Sequence, residues 1–406
     1  MWLLLLFGVL SPVMALDNGL ALIPPMGWMS WLRFGCTTDC VKHPRSCLSE
    51  ELIKRTADRL VSDGYVDAGY EYVIIDDCWL EKKRGEDGRM VPDRSRFKSG
   101  MKAMADYIHS KGLKFGMYQD IGNKTCQGYP GLKNHEQLDV DTFAGWEIDF
   151  LKVDGCYEKP ADMDKSYPDF GKLLNRTGRP IMYSCSWPAY TDYNKTDYAS
   201  IAKHCNIWRN YDDIDNSWSS VVSIMDWFGD RPELTTFAGP GHYNDPDMLV
   251  IGNSGLTVDQ AKVQMAVWSI LAGPMLLSTD LDEMKPEFKE IVLNKDVIAV
   301  SQSRRGLMGE RIHRHDGLEV WHRVVDDGIA VAIVNKNDVY RRVEYTHRDL
   351  QLSNFDYEVT DLFKEEKTRI LPKNQNLTTM VNPTGVKFYK FVQKIVLDNE
   401  ISSAWD

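Results

Sequence analysis

Apolar residues gather along this chain in short runs that each end in polar or aromatic residues, and segments with a helical apolar face separate the runs. Eight runs read as strands: residues 26–31, 72–76, 114–118, 150–154, 180–184, 207–209, 248–252 and 274–278. Most lack clean alternation, as parallel strands buried on both faces do. Between them, Ser49 and the acidic pair Glu50 and Glu51 head a helix with the apolar face Leu52, Ile53, Ala57, Leu60 and Val61, and Gly64 can end it. Met101, Met104, Ala105 and Ile108 form a second face, stopped by Gly112. Val258, Ala261, Met265, Trp268 and Leu271 mark the seventh helix, and the eighth starts near Pro286.

Eight strand–helix alternations predict an α/β fold, a (β/α)8 TIM barrel. An open doubly wound sheet is the competing arrangement. The barrel is favoured because functional-looking residues follow nearly every strand rather than crowding one crevice. After about Gly306 the pattern changes. Segments 319–325, 329–335, 342–346, 357–362 and 386–391 are strand-like and separated by polar turns, which predicts a small C-terminal antiparallel β-sandwich domain. The expected organisation is a leader at 1–15, a barrel at 16–306 and the β domain at 307–406.

Composition narrows the function. A hydrophobic share of 43% supports a large core, and a net charge of −11 with no Lys/Arg block argues against nucleic acid. No run after the leader reaches the roughly 18 apolar residues of a membrane span. Residues 1–15 read as a secretory signal, with Leu3 to Leu6, Phe7, Val9 and Leu10 as its apolar stretch and Val13-Met14-Ala15 as a cleavage site. All eight cysteines lie between Cys36 and Cys205. In a secreted chain that even number predicts four disulfides, with reduced buried thiols as the alternative. Sequons at Asn123, Asn175, Asn194 and Asn376 fit the same route, whereas Asn382 precedes Pro383 and is excluded.

The fourth run ends Leu151-Lys152-Val153-Asp154-Gly155-Cys156, and the sixth ends Trp208-Arg209-Asn210-Tyr211-Asp212-Asp213. They offer two carboxylates at one rim of a barrel. Hydrolysis of a glycosidic bond with retention needs such a pair roughly 5 Å apart. Lys152 and Asp154, two apart on a strand, share a face. A lysine there favours an ionised carboxylate, which suits a nucleophile, although a structural ion pair accounts for the pattern equally well. Asp213 would serve as proton donor and then as base. Asp212 and Asp215 are close by, and pattern alone does not choose among the three. Asp76 and Asp77 end the second run and could accept hydrogen bonds from vicinal sugar hydroxyls. Ca²⁺ or Mg²⁺ binding is the rival use, without the surrounding ligand spacing it needs. Trp28, Trp31, Tyr118, Trp187 and Tyr190 sit near strand ends, where core packing is the usual fate of an aromatic. Trp31 and Tyr118 are the preferred pocket residues among them. Asp247 could reach the pocket, and His242 reads as structural. The chain has no Gly-x-Ser-x-Gly elbow, phosphate loop or His-Glu-x-x-His, so serine-hydrolase, kinase-like and zinc-protease chemistry have nothing to rest on. No cofactor or metal is implied.

The segments PPMGWMSW, AGYEYVIIDDCW, HSKGLKFGMY, GNKTC, FLKVDGC, LLNRTGRP, YSCSWPAY, WRNYDDID, AGPGHYNDPDMLVIGN and VNPTG resemble family 27 glycoside hydrolases, the group of α-galactosidases and α-N-acetylgalactosaminidases. The resemblance runs from residue 16 to about 385. It implies a retaining exo-glycosidase with Asp154 as nucleophile and Asp213 as acid/base. It further implies Trp31, Asp76, Asp77, Tyr118, Lys152 and Arg209 as residues holding the sugar ring. The family's disulfides map to Cys36–Cys78, Cys40–Cys47, Cys126–Cys156 and Cys185–Cys205. A homodimer and a lysosomal location are also implied. Substrate choice rests on the loop after the fifth strand, where α-galactosidases of the group carry Glu and Leu. This chain has Ser186 and Ala189, followed by Tyr190. The smaller pair leaves room for a 2-acetamido group, so the expected substrate is terminal α-linked N-acetylgalactosamine on glycolipids and glycopeptides. An α-galactosidase with the same catalytic residues is the alternative, and weak galactosidase activity is expected in either case. A silent sugar-binding protein is the rival from another class; it would lack one of the two carboxylates, and both are present. Leu32, Gln119, Tyr243 and the 301–306 linker depart from the group's pattern, and Gln119 is expected to alter the pocket wall.

Overall fold

Short apolar runs rich in Val, Ile, Leu and aromatics assemble into one parallel sheet of eight strands. These are β1 (Met26–Met29), β2 (Tyr72–Ile75), β3 (Lys114–Asp120), β4 (Phe150–Asp154), β5 (Met182–Cys185), β6 (Ile207–Arg209), β7 (Tyr243–Asp245) and β8 (Met275–Leu277). The computed structural model describes residues 16–394 apart from 17, 194 and 365. The expected leader and the sequon at Asn194 therefore lie outside the described residues. The strand order is β7-β6-β5-β4-β3-β2-β1-β8, with helices between successive strands.

The seventh strand is not where the apolar run predicted it. Tyr243–Asp245 pairs with β6, and Pro246 follows. Proline has no N–H to donate, so the ladder stops there. Asp247 then turns the chain at φ 72°. The buried run that begins at Met248 closes the barrel instead. Leu249 bridges Leu277, its N–H donating to Leu276 O at 2.8 Å while Ser278 N–H donates to Leu249 O at 3.0 Å.

Helix signals correspond to real caps. Ser49 Oγ accepts the Leu52 N–H at the head of the helix Glu50–Ser62. Thr257 and Gln260 form a reciprocal capping box on the helix Val258–Ile270. That helix is buried on nearly all sides because barrel and C-terminal sheet enclose it.

The C-terminal strands are β9 (Glu310–His315), β10 (Leu318–Val325), β11 (Gly328–Asn335), β12 (Arg341–Tyr345), β13 (Tyr357–Asp361), β14 (Arg369–Leu371), β15 (Leu377–Val381) and β16 (Gly385–Gln393). Six form an antiparallel sheet, β14-β13-β16-β11-β10-β9, and β12 pairs with β15. Alternation sorts their side chains into two cores. Trp321, Ala330, Ala332, Val334 and Phe388 join the barrel's core, while Val320, Val331, Ile333, Tyr389 and Phe391 pack with Val343, Tyr345, Leu377 and Val381. Pattern reading did not detect β9, β14 or β15. The first two are edge strands, and β9 is polar along most of its length (Glu310, Arg311, His313, Arg314, His315), as edges often are.

Disulfides join Cys36 to Cys78, Cys40 to Cys47, Cys126 to Cys156 and Cys185 to Cys205. The described sequon asparagines Asn123, Asn175 and Asn376 are exposed. Among the described residues no helix is long and apolar enough to cross a membrane.

Candidate active site

Parallel strands put their C-terminal ends at one rim, and the register decides which side chains meet there. Tyr118 pairs with Lys152, and Asp120 with Asp154, across β3 and β4. The alternation that buries Leu151 and Val153 on the opposite face turns Lys152 and Asp154 the same way. Tyr118 OH donates to Asp154 Oδ2 at 3.1 Å, and Tyr190 OH to Oδ1 at 2.5 Å. Two phenols on different elements therefore hold this half-buried carboxylate in one orientation.

Behind them lies a buried ion pair. Lys152 Nζ is 2.8 Å from Asp76 Oδ2 and 5.1 Å from the centre of the Tyr118 ring. Burial disfavours the lysine's charge, but Asp76, Asp154 and Asp247 outweigh it and raise its pKa. Asp76 Oδ1 accepts the Asp77 N–H, and Asp77 accepts the N–H groups of Cys78 and Gln127. Both carboxylates are thus held by protein donors. Burial pushes Asp77 up to about 6, against the pull of those two N–H groups.

The loop after β5 is a tight 3-10 turn, Trp187–Tyr190. Ser186 N–H donates to Val153 O at 3.0 Å, which ties the turn to β4, and the Cys185–Cys205 disulfide anchors its base. On the other side Arg209 ends β6. Its Nη1 is 3.1 Å from Asp247 Oδ2, and its Nη2 reaches Asp213 Oδ1 at 3.0 Å and the carbonyls of Tyr211 and Asp212. The Asp213 side chain is 81% exposed. The Arg209 guanidinium holds its carboxyl below the usual carboxylate range, with Lys152 assisting.

Asp154, Ser186, Ala189, Tyr190, Arg209, Tyr211, Asp212 and Asp213 line one cavity of about 170 Å³. Asp76, Asp77, Tyr118 and Lys152 do not line it; Tyr118 reaches it through Asp154, and Lys152 pairs with Asp76. Trp31, half-buried, opens the short helix after β1 at the same rim. Trp28 is fully buried and donates to Thr279 O. His242 stacks on Trp208 and bonds Phe237 O, a structural placement. Gln119 does not touch the cavity. Its amide reaches Met90 Sδ and Pro130 O on the outer side of β3. The opposite parity from Tyr118 accounts for this and overturns the expectation that Gln119 alters the pocket wall.

The family model described as Alpha galactosidase A matches residues 23–303. The chain belongs to glycoside hydrolase family 27. The family's Alpha galactosidase A C-terminal beta sandwich domain matches residues 306–385. The chain is 44% identical over 390 residues to Alpha-N-acetylgalactosaminidase of Gallus gallus, covering 94% of this chain and 96% of the relative. It is 47% identical over 336 residues to Alpha-galactosidase A of Homo sapiens, covering 82% and 78%. The solved alpha-galactosidase of Saccharomyces cerevisiae superposes with a TM-score of 0.84 at 26% identity, covering 95% of this chain and all (100%) of that one.

One buried acid of this family-27 site escaped pattern reading. Asp120 is fully buried at the end of β3, and its oxygens accept the N–H groups of Gly122 (2.7 Å) and Cys156 (2.9 Å). Burial and the neighbouring Asp154 push it up to about 7. The signal was available: extending the 114–118 strand by one alternation turns Asp120 to the same face as Tyr118.

Proposed function

We propose that this family-27 hydrolase removes terminal α-linked N-acetylgalactosamine from glycolipids and glycopeptides, with retention of anomeric configuration. The observation that supports it most is the single cavity lined by Asp154 and Asp213, with Asp212 beside the latter, and by the small side chains Ser186 and Ala189. Asp154, oriented by Tyr118 and Tyr190, attacks the anomeric carbon. Asp213 protonates the departing glycosidic oxygen, and the C–O bond to the aglycone breaks as the bond to Asp154 forms. Asp213 then takes a proton from water, which attacks the same carbon and frees Asp154. Arg209 favours ionised Asp213 in the free protein. A bound sugar that covers Asp213 withdraws it from water and works in the opposite direction.

Ser186 and Ala189 leave space beside the sugar's 2-position for an acetamido group, and the Ser186 hydroxyl is available to its amide. Galactose fits the same space with only lost contact, so α-galactosidase activity accompanies the main one. Lysosomal delivery and a homodimer belong to the same reading. The test compares kcat/KM on aryl α-N-acetylgalactosaminide and aryl α-galactoside at acidic pH. Preference for the first is expected, and Ser186→Glu with Ala189→Leu should reverse it. A wild-type preference for galactose would overturn the assignment.

A further inference from the structure

A cavity of about 170 Å³ is well below the roughly 300–1,000 Å³ that encloses a drug-sized ligand. It takes one sugar, and the group attached to that sugar must lie outside. On the proposed reading, the proton donor marks the position of the glycosidic oxygen. The leaving group therefore departs on the side of Asp213, where Tyr211 and Asp212 form the wall.

The Tyr211 ring and the backbone of both residues are held in place. The Tyr211 ring stacks on Trp227 with centroids 5.2 Å apart and planes 21° from parallel. Tyr193 packs on both rings, at 5.8 Å from Tyr211 and 5.5 Å from Trp227. Arg231 caps the stack, its guanidinium 4.3 Å from the Trp227 ring centre. From below, the same Arg209 Nη2 that reaches Asp213 also holds the carbonyls of Tyr211 (3.1 Å) and Asp212 (3.0 Å). The proton donor and the aromatic wall are thus one preorganised unit, yet Tyr211 stays half-exposed and Asp212 exposed.

We propose that Tyr211 and Asp212 form a subsite for the leaving group, and that the group it takes is a second hexopyranose. An aromatic face carries negative charge density that attracts the C–H face of a sugar. The carboxylate of Asp212 beside it accepts hydrogen bonds from that sugar's hydroxyls. An acyl chain would leave Asp212 facing an apolar surface without a partner. Because the Tyr211 ring is packed in place before binding, ordering it costs little on association. The inference rests on the proposed glycosidase reading and adds the chemistry of the leaving side.

The experiment measures kcat/KM on a disaccharide, N-acetylgalactosamine α-linked to galactose, and on the methyl α-glycoside, which has no second ring. Tyr211→Ala should lower the disaccharide-to-methyl ratio by about tenfold, the loss of one aromatic contact. Tyr211→Phe should restore most of that ratio, and Asp212→Asn should lower it by a smaller factor. Equal losses on both substrates, or no loss on the disaccharide, would overturn the subsite. If the wild type instead hydrolyses only the matching disaccharide and methyl glycoside with galactose in place of N-acetylgalactosamine, the substrate assignment falls while the same ratio on that pair still judges the subsite. If it hydrolyses neither pair, both fall.

Discussion

Replacing Asp120 by asparagine should flatten the protein's stability against pH. Its carboxyl is fully buried and pushed from 3.8 up to about 7, first by burial and then by the charge of Asp154. A difference of that size penalises the ionised form by on the order of 4 kcal/mol. Between these two pKa values the folded chain keeps a proton that the unfolded chain has lost. Stability is therefore fully present below the unfolded pKa and falls as pH rises towards 7, by up to about 1.4 kcal/mol per pH unit. Asp77 and Asp245 are each pushed up to about 6 and act with the same sign. Their share is largely lost by pH 6, which leaves Asp120 as the acid of the three that still titrates from 6 to 7. His242 and His322, both lowered by burial, act with the opposite sign, because stability rises as pH passes through the range where only the unfolded histidines are charged. They are common to both proteins, so the difference between wild type and variant isolates Asp120. Urea unfolding followed by tryptophan fluorescence at pH 5, 6 and 7 measures that difference. The wild type should lose about 1 kcal/mol more than Asp120→Asn between pH 6 and 7. The amide gives up one acceptor for the Gly122 or Cys156 N–H, an offset of about 1–3 kcal/mol that is the same at each pH. Parallel stability curves for the two proteins would refute the argument. An intact slope difference would mean that the site region is held most firmly in acid.

Three further outcomes follow from the same geometry. Asp154→Asn should lower kcat/KM on an aryl α-N-acetylgalactosaminide by at least ~10³-fold while galactosamine binding persists, and near-wild-type turnover would remove Asp154 from the nucleophile role. Lys152→Ala leaves the Asp76 carboxylate buried without its cation and should destabilise the fold by about 3–5 kcal/mol, seen as a lower melting temperature; an unchanged melting temperature would show that the pair is not sustained in solution. If Asp213 is the proton donor proposed above, it must start protonated, and because Arg209 lowers its pKa, kcat/KM should decline steadily as pH rises from acid to neutral. A flat profile across that range would point to a different proton donor.

Much of this molecule is legible in its pattern. Seven of the eight barrel strands overlap the apolar runs that predict them, and helix starts at Ser49 and Pro286 sit where their capping chemistry requires. The alternation of Lys152 with Asp154 is likewise a local fact, fixed by the period of a strand. What pattern could not supply is where strand ends meet. The apolar run beginning at Met248 looks like a strand in isolation, but Pro246 and the turn at Asp247 divert it, so it closes the barrel against β8 rather than lying beside β6. Asp212, Asp213 and Asp215 are indistinguishable as letters. Arg209, reaching Asp213 from the end of β6, sets that one apart. The raised proton affinity of Asp120 arises because β3 and β4 pair in a register that sets it opposite Asp154 and buries it there. Sequence determines the face each side chain takes, because that depends on neighbours one or two residues away. Distances between residues dozens of positions apart, and the solvent excluded between them, depend on register and closure, which exist only once the chain has folded.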